Sequence, residues 1–492
     1  MHTCDINEIF NQLPDISGEE KNLLQKAYDY ALKAHEGQAR KSGEPYFTHV
    51  FATALNLARY QMSVPTIAAG FLHDTIEDTP VTDEDITREF GTEICTLVQG
   101  VTKLGHVKYH GRERNLESLR RFLMALAQEP RVLMIKLADR LHNLSTLEHV
   151  RKDKQERIAI ESIQVYAPLA DRLGIGMLKG EIEDAAFPYA NPKEFEKISV
   201  ILDERKETIT HSLETIRSKL VAELGKHPIT VHALDHRVKH KYSLWKKLQK
   251  KGASIDTVYD LVALRVIVET IEECYVVLGI IHSLWRPLPG RIKDYIALPK
   301  LNGYQSLHTT VFSGDGGIAE IQIRTKAMHV RAEYGIASHF AYKEKNATVE
   351  KDEKFKWVDE FKNLDKETPE STKFFEHVKN DFCNDRMYLF TPKGDVIDLP
   401  HGSSVIDFAY AVHTDIGNTA SGARVNGKFV ALDTVLHSSE IVDITTRKDG
   451  KPKSRWIDYA KTTMAKKHIR AYLKEHEESG ILARFIPKKF RS

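Results

Sequence analysis

The spacing of apolar residues divides the chain into a helical half and a half in which strands alternate with helices. From about residue 19 to residue 222, apolar side chains recur at intervals of three and four positions, as in the leucine-rich run 116–126. This spacing is typical of helices with one buried face. Pro130 suits the first turn of the next helix, because the amide proton that proline lacks would have no partner there. We therefore predict an all-α domain.

The pattern changes after Pro228. Residues 260–268 are rich in strand-forming side chains, and residues 274–285 indicate a helix. Residues 319–325 alternate strictly, with charged and amide side chains on one side and isoleucines on the other. Such alternation is typical of a strand whose two faces meet different surroundings. This part of the chain is predicted to be an α/β domain.

The last third of the chain begins with a heavily charged stretch at 343–372, which we interpret as a linker or an exposed helix. Residues 387–446 then return to short strands broken by Gly, Asn and Asp turns, followed by a basic helical segment from 456 to about 475. The predicted division is a helical domain at 1–197, an α/β domain at 198–345, a charged linker at 346–384, a small β-rich domain at 385–447 and the start of a helical region at 448–492.

Composition narrows the class of protein. A chain of 492 residues is too long for one ordinary core, and its 41% hydrophobic and 28% charged residues are those of a globular protein. The net charge is only +2, so affinity for phosphates must come from local clusters. The four cysteines lie far apart and indicate reduced thiols rather than disulfides or a zinc site. The apolar runs are too short to span a bilayer, so we expect a soluble, cytoplasmic protein.

Four residues of the helical half form a candidate metal site: His49, the adjacent pair His73 and Asp74, and Asp139. Two imidazoles and two carboxylates suit manganese or iron better than zinc, which favours thiolates. Such an ion acidifies water and offsets charge on a phosphate under attack. A lone His–Asp pair would more simply be a buried hydrogen-bonded pair, but the whole pattern together with the upstream loop 40–45 favours a hydrolytic metal site.

Further polar residues are placed beside this candidate site by helical spacing. Glu77 and Asp78 follow the histidine–aspartate pair by one helical turn, where carboxylates could orient water or carry its proton. Asn143 and Thr146 share one helical face with Asp139. A ligand and two hydrogen-bonding groups would then face the same space.

A strongly basic stretch opens the α/β half. Between residues 237 and 251 there is no acid, and the basic residues are Arg237, Lys239, Lys241, Lys246, Lys247, Lys250 and Lys251. A triphosphate needs several cations from different directions. Taken alone, the stretch would more simply be a solvated helix face or a patch for nucleic acid or membrane. The carboxylates and the polar run that follow it favour a nucleotide site.

Two acids could complete a phosphoryl-transfer site with these cations. Asp260 stands at the start of one predicted strand and Glu320 on the polar face of another. One carboxylate could hold magnesium and the other could accept a proton from an attacking hydroxyl. Between them lies a polar run, 290–308, in which glycine beside Tyr304 permits close approach and the ring offers a purine a stacking surface.

The segments RKSGEPYFTH, GFLHDTIEDT and KLADRLHNLSTL closely resemble the hydrolase half of the RelA/SpoT family, an all-α HD-type domain. The resemblance implies manganese bound by His49, His73, Asp74 and Asp139, with Glu77 and Asp78 assisting the attacking water. It also implies that the nucleotide is held by Arg40, Lys41, Asn143 and Thr146. Val50 and Ser145 depart from the usual proline and arginine of the family, and neither change removes a ligand.

The segments HRVKHKYSLWKKLQK, YDLVALRVIV, PLPGRIKDYIALPKLNGYQSLHTTV and AEIQIRT resemble the α/β, nucleotidyltransferase-like synthetase half of the same family. The resemblance implies magnesium on Asp260 and Glu320, with Glu320 also activating the 3′-hydroxyl of GDP or GTP. It implies ATP phosphates on Arg237, Lys239 and Lys247, guanine stacked on Tyr304, and acceptor or phosphate contacts from Lys293, Lys300, Asn302 and His308. The stretch 291–294 reads RIKD, the basic variant associated with bifunctional members.

Residues 388–428 resemble the TGS domain of the family, a small β-grasp module. In longer members this module helps to recognise uncharged tRNA on the ribosome, and His413 matches a histidine near the tRNA 3′ end. Ordinary packing in a sheet stays an alternative explanation of that histidine. Family members of full length continue into further regulatory domains beyond the position where this chain stops, and the sequence leaves open whether this is a shortened form. It also leaves the oligomeric state open.

The resemblance implies an enzyme that transfers pyrophosphate from ATP to the 3′-oxygen of GDP or GTP, and that removes the same group from (p)ppGpp, in the stringent response to nutrient stress. Two alternatives stay open. One is a catalytically idle regulator that binds guanine nucleotides or ribosomes, against which the intact set of ligands and carboxylates argues. The other is an enzyme with a single active site.

Overall fold

The computed structural model describes residues 4–13, 15–105, 129–238, 240–251, 262–300, 303–312, 318–335, 386–438 and 440–485. These belong to two compact units, Met1–Lys366 and Glu367–Ser492, and each unit is described by itself. The leucine-rich run 116–126 and the charged stretch 343–372 lie outside the described residues. Among the helices that are described, none is long and apolar enough to cross a membrane.

The first part of the first unit is helical, as predicted. Its α-helices are α1 Asn7–Gln12, α2 Gly18–Ala34, α3 Phe47–Arg59, α4 Val64–Leu72, α5 Thr75–Asp78, α6 Asp83–Gly105, α7 Pro130–Ser145, α8 Lys152–Glu161, α9 Ala167–Arg172, α10 Gly176–Ala190 and α11 Pro192–Leu224. Pro130 does open α7. A single π-turn, Ser162–Tyr166, joins α8 to α9; such turns frequently mark functional sites.

The core of the helical part brings three elements of the candidate metal site together. Helix α4 is apolar apart from Thr66, and all of its residues except Pro65 are buried. It packs closely on α3 at Gly70, where an added Cβ would lie 2.5 Å from Leu57 Cδ1. Helix α7 packs on α3 and α4. His49 on α3, the His73–Asp74 pair directly after α4, and Asp139 on α7 therefore lie on neighbouring elements.

The second part of the first unit contains a mixed sheet in the order β1-β2-β5-β4-β3. Its elements are β1 Val231–Val238, α12 Lys241–Lys251, β2 Val262–Val268, α13 Ile271–Leu284, β3 Lys293–Asp294, β4 Leu307–Phe312, β5 Ile318–Thr325 and α14 Lys326–Tyr334. Strands β2 and β5 are parallel and the other neighbours antiparallel. Helices α11 and α13 cover one face with an apolar cluster that includes Ile321 and Ile323. The predicted alternation of β5 is confirmed.

The second unit is a small strand-rich domain, as predicted for 387–446, but it also contains two helices within that range, which the turn-rich pattern did not predict. Its elements are β6 Arg386–Phe390, β7 Val396–Pro400, α15 Val405–Val412, α16 Thr414–Thr419, β8 Ala420–Val425, β9 Lys428–Val430, β10 Val442–Thr446, α17 Trp456–Tyr459 and α18 Thr463–Phe485. Buried Asp407 accepts hydrogen bonds from the backbone amides of Ser404, Lys461 and Thr462 and thereby joins α15 to the start of α18. The domain boundaries given above stay predictions.

Candidate active sites

The four predicted metal ligands of the helical part lie together. His49 Nε2 is 3.5 Å from Asp74 Oδ2 and 3.3 Å from Asp139 Oδ1, and His73 Nε2 is 3.2 Å from Asp74 Oδ2. His49, His73 and Asp74 offer ligand atoms within 4.8 Å of one another. Three of the four residues are buried, and the Asp74 side chain is 15% exposed. Ligand atoms this close together could share one cation.

The hydrogen bonds of His73 fit a metal ligand. Its Nδ1 lies 2.8 Å from the carbonyl oxygen of Gly70, which can only accept, so Nδ1 carries the proton. The other ring nitrogen, Nε2, is buried and lies 3.2 Å from Asp74 Oδ2. It donates to that carboxylate while the imidazole is protonated, and it offers its lone pair to a cation once the imidazole is neutral. The donor set and this geometry together fit a divalent ion.

The electrostatics of the cluster also favour a cation. Burial would raise the pKa of Asp139, but the Lys136 ammonium, which donates to Asp139 Oδ2 over 2.7 Å, and His49 hold it well below its usual range. Burial would likewise raise the pKa of Asp74, yet His73 and His49 lower it well below its ordinary value. Both carboxylates are therefore ionised near neutral pH, which gives the cavity negative charge to offer a metal ion.

Tyr46, just before α3, joins two of the predicted acids. Its hydroxyl lies 2.8 Å from Asp74 Oδ2 and 2.8 Å from Asp78 Oδ2. Glu77 and Asp78 are both exposed, on α5 directly after the ligand pair. The amide of Asp78 donates to the carbonyl of Asp74 over 2.9 Å, which confirms the predicted helical turn between them. The acids thus stand at the rim of the buried cluster.

The loop before α3 reaches α7 through Arg40. Its Nη2 donates to Asn143 Oδ1 over 2.7 Å, and its Nη1 lies 3.0 Å from His142 Nδ1. Asn143 in turn donates to Asp139 Oδ1. Lys41 is exposed beside this loop, and Thr146 is the residue that ends α7. Of the four nucleotide-binding residues that the resemblance implies, Arg40 and Asn143 are therefore hydrogen-bonded to each other beside the cluster.

The second site is the polar face of the sheet, where one row of polar residues crosses all five strands. The registers pair Asp235 with Arg265, Arg265 with Gln322, Gln322 with His308, and His308 with Lys293. Because paired residues of neighbouring strands point to the same side, these five side chains share one face. This face is the one opposite the apolar cluster.

Glu320 lies beside this row, on the same face of β5. His308 Nδ1 is 3.1 Å from Glu320 Oε1, and Gln322 Nε2 donates to the same oxygen over 2.9 Å. The Tyr304 hydroxyl lies 2.8 Å from His308 Nε2. Burial lowers the pKa of His308, partly offset by Glu320, so the imidazole is neutral at pH 7. The predicted base, histidine and aromatic ring are thus brought together.

Lys300 lies against two aromatic rings at this face. Its Nζ is 4.8 Å from the ring centre of Tyr295 and 4.9 Å from that of Tyr304. Burial lowers the pKa of Lys300, with Asp171 opposing and Lys293 adding to the effect. A cation held on aromatic faces and away from water keeps its attraction for phosphate.

The basic stretch is only partly assembled at this face. Arg237 lies on β1, paired with Ala263, which is in turn paired with Glu320, and Lys247 lies half-buried on α12. Lys241 does not point to this face, because its Nζ lies 4.7 Å from the centre of the Phe195 ring and donates a hydrogen bond to Ser199 Oγ on α11. Three other predicted residues lie outside the described residues: Lys239, Asp260 and Asn302.

Several polar residues at these sites were missed by the sequence reasoning. In the helical part they are Tyr46, Lys136 and His142. In the sheet, Glu333 of α14 joins two arginines, accepting from Arg265 and from the fully buried Arg324 over 2.8 Å each. The alternation of β5 placed Arg324 on the polar face, but no sequence signal identified a partner on the following helix.

His413 in the second unit is largely exposed. It ends α15 and begins α16, and its Nδ1 accepts from the amide of Asp415 over 3.2 Å. The ring is 64% exposed, so ordinary packing does not occupy it. The imidazole is therefore accessible from outside the domain.

The fold and the two sites define a class: a helical metal-site domain of HD type joined to an α/β domain whose sheet presents a carboxylate among cations and aromatic rings. Three family models match the chain and agree with this description. They are an HD domain at residues 27–176, the region found in RelA and SpoT proteins at 236–347, and a TGS domain at 387–446. These matches confirm the predicted fold class of each part.

Relatives of known name match almost the whole chain. A GTP pyrophosphokinase of Myxococcus xanthus is 43% identical over 94% of this chain and 61% of its own length. A guanosine-3′,5′-bis(diphosphate) 3′-pyrophosphohydrolase of Aquifex aeolicus is 42% identical over 97% of this chain and 68% of its own length. The bifunctional (p)ppGpp synthase/hydrolase SpoT of Escherichia coli is 41% identical over 95% and 67%. The chain belongs to the RelA/SpoT family, and it spans about two thirds of these relatives.

Proposed function

We propose that the chain is a bifunctional enzyme that makes (p)ppGpp from ATP and GDP or GTP and hydrolyses it again. The observation that carries the proposal is the presence of two separate chemical sites in one unit. One is the His–Asp cluster of the helical part, in which His49, His73 and Asp74 offer ligand atoms within 4.8 Å of one another. The other is Glu320 among His308, Lys300 and Tyr304 on the polar face of the sheet. Named relatives carry each activity and both together.

Hydrolysis is assigned to the helical cluster. His49, His73, Asp74 and Asp139 would hold the ion, and we propose Mn²⁺ because two imidazoles and two carboxylates make a mixed donor set. A divalent ion bound there acidifies water and offsets charge on the attacked phosphate.

Proton transfer and nucleotide binding in hydrolysis are assigned to side chains beside the metal-ligand cluster. Asp78, held by Tyr46, and Glu77 accept the proton of the attacking water. Arg40, tied to Asn143, and the exposed Lys41 hold the nucleotide. Water attacks the phosphorus bonded to the 3′-oxygen, that P–O bond breaks, and the 3′-oxygen takes a proton, so GDP or GTP and pyrophosphate leave.

Synthesis is assigned to the sheet. Glu320 accepts the proton of the 3′-hydroxyl as its oxygen attacks the β-phosphorus of ATP, and the bond to the α-phosphate oxygen breaks to release AMP. Arg237, Lys247 and Lys300 offset the phosphate charges, and the Tyr304 ring carries the guanine. We propose Mg²⁺ on Glu320 and Asp260, because hard oxygen ligands and phosphates suit it.

For the second unit we propose a role in recognising uncharged tRNA on the ribosome. The support is the TGS match and the exposed imidazole of His413 at the junction of two helices. This proposal draws on relatives that are longer than this chain.

The experiment that tests the proposed function uses labelled nucleotides separated by thin-layer chromatography. The chain is incubated with ATP and labelled GDP in Mg²⁺, and separately with labelled ppGpp in Mn²⁺. Formation of ppGpp in the first reaction and release of GDP in the second are expected. Nucleotide binding without turnover in either reaction would instead identify a catalytically idle sensor, and turnover in only one would identify a single-activity enzyme.

A further inference from the structure

His142 connects a predicted metal ligand with a predicted nucleotide-binding residue. Its Nδ1 lies 2.8 Å from His49 Nδ1 and 3.0 Å from Arg40 Nη1. The two imidazole rings are tilted by 41° with centres 5.0 Å apart. His142 itself is half-buried on α7, one turn after Asp139. None of the roles assigned above uses it.

When both imidazoles are neutral, as metal binding requires of His49, proton counting fixes which ring nitrogen of each carries the proton. A guanidinium can only donate, so the bond from Arg40 requires a lone pair on His142 Nδ1. The proton of neutral His142 is then on Nε2. His49 Nδ1, facing the same lone pair, must therefore carry a proton and donate it. His49 is left with its lone pair on Nε2, the atom that faces Asp74 and Asp139.

We propose that His142 is a positioning residue of the hydrolase site: it accepts from His49 and Arg40 at once, and so sets the tautomer of the metal ligand and the place of the nucleotide-binding guanidinium. The inference rests on the proposed hydrolase function. A partner on the second ring nitrogen orients a metal-bound imidazole and raises its basicity. Here the lone pair of His142 Nδ1 accepts hydrogen bonds both from the proposed metal ligand, His49, and from the proposed nucleotide-binding side chain, Arg40.

Substitutions that differ in where they place an acceptor test this role. In His142→Asn, the amide oxygen takes about the place of Nδ1, so the acceptor is kept. His142→Gln carries its oxygen farther out, about where Nε2 was, and His142→Leu has no acceptor. Loss of such an outer partner costs about 10–100-fold in metal affinity. We expect this loss of Mn²⁺ affinity in the Gln and Leu variants, and affinity within about threefold of the parent in the Asn variant.

The primary readout is Mn²⁺ binding to the nucleotide-free chain by titration calorimetry, which needs no turnover. Synthesis of ppGpp by each variant, at a site on another part of the unit, controls for folding. Hydrolysis rates should follow the Mn²⁺ affinities at limiting metal. A second measurement, ppGpp binding to the metal-free chain, reports on Arg40 and should weaken in the Gln and Leu variants alone.

The outcomes separate this inference from the proposed function. If the parent chain neither binds Mn²⁺ nor hydrolyses ppGpp, the proposed function itself fails. If the parent binds Mn²⁺ and all three variants bind it equally well, His142 positions nothing. Equal losses in the Asn and Leu variants would also overturn the inference, because the ring's packing rather than its acceptor would then matter.

Discussion

Gly180→Ala should impair synthesis while sparing hydrolysis. Gly180 lies on α10, and the His240 ring lies flat against it just before α12. Asp184 holds this arrangement, accepting from the Tyr242 amide over 3.0 Å and lying 2.9 Å from His240 Nδ1. The same carboxylate thus fixes the ring and the first turn of the helix that carries Lys247. Displacing the ring should displace the start of that helix.

The magnitude follows from the missing space. A Cβ on Gly180 would lie 2.6 Å from His240 Cε1 and closer still to two other ring atoms, whereas carbon atoms pack at about 3.5–4.0 Å. The ring must therefore move by about 1 Å or more. Overpacking costs about 1–3 kcal/mol, offset by about 0.5–1 kcal/mol gained from replacing glycine in a helix. A misplacement of about 1 Å can cost about 100-fold in rate, so kcat/KM for synthesis should fall about 10–100-fold.

The assay compares kcat/KM for synthesis, at varied ATP and fixed GDP, with the rate of ppGpp hydrolysis. Gly279→Ala is the matched control, because Gly279 lies on α13 of the same sheet domain and a Cβ there meets nothing within 4 Å. That control should keep both activities. Synthesis at the parental rate in Gly180→Ala, with the added methyl shown by mass spectrometry, would refute the reasoning. Equal losses of both activities would show general unfolding instead.

Two further predictions concern coupling and stability. Glu181 on α10 accepts hydrogen bonds from Arg59 and Tyr60 at the end of α3 and so connects the two parts of the unit. We therefore expect GDP with a non-transferable ATP analogue to suppress ppGpp hydrolysis in the parent, and not in a Tyr304→Ala variant shown not to bind these nucleotides. Unchanged hydrolysis in the parent, with binding of the nucleotides confirmed by calorimetry, would contradict this coupling. Asp407→Ala should destabilise the second unit by about 3 kcal/mol or more, because each buried donor left unpaired costs about 1–3 kcal/mol. Hydrogen exchange of the α15 amides measures this loss. Protection equal to that in an exposed-site control, Asp415→Ala, would contradict the prediction.

The elements of the helical part and the clustering of its His and Asp residues could be predicted because each leaves a local signal. Pro130 marks a helix start, alternation marks β5, and the His73–Asp74 pair with its following acids has helical spacing. The family resemblance then supplied the roles. Such signals depend on neighbours within about one turn or on a short strand, so a sequence shows them directly.

What could not be predicted depends on contacts between distant parts of the chain. The bond between Arg40 and His142 joins residues 102 positions apart, and histidine alone does not reveal which nitrogen accepts. Glu333 pairs with Arg265, 68 positions earlier in the chain. The segment between them carries several other acids, so residue type alone could not identify Glu333 as the partner. Lys241 belonged to the predicted phosphate-binding stretch, yet the fold directs it to the Phe195 ring. Residue type and spacing do not choose among such partners.

The most direct test of two separable sites on one chain is to measure both activities in Asp139→Ala and in Glu320→Gln. The Asp139→Ala change removes a proposed ligand from the helical cluster, and the glutamine keeps the shape of Glu320 without its charge. Loss of one essential acid or base costs about 10²–10⁴-fold. We predict that Asp139→Ala loses ppGpp hydrolysis and keeps synthesis, and that Glu320→Gln does the reverse. Loss of both activities in either variant, or full activity in both, would contradict the assignment of the two reactions to these two sites.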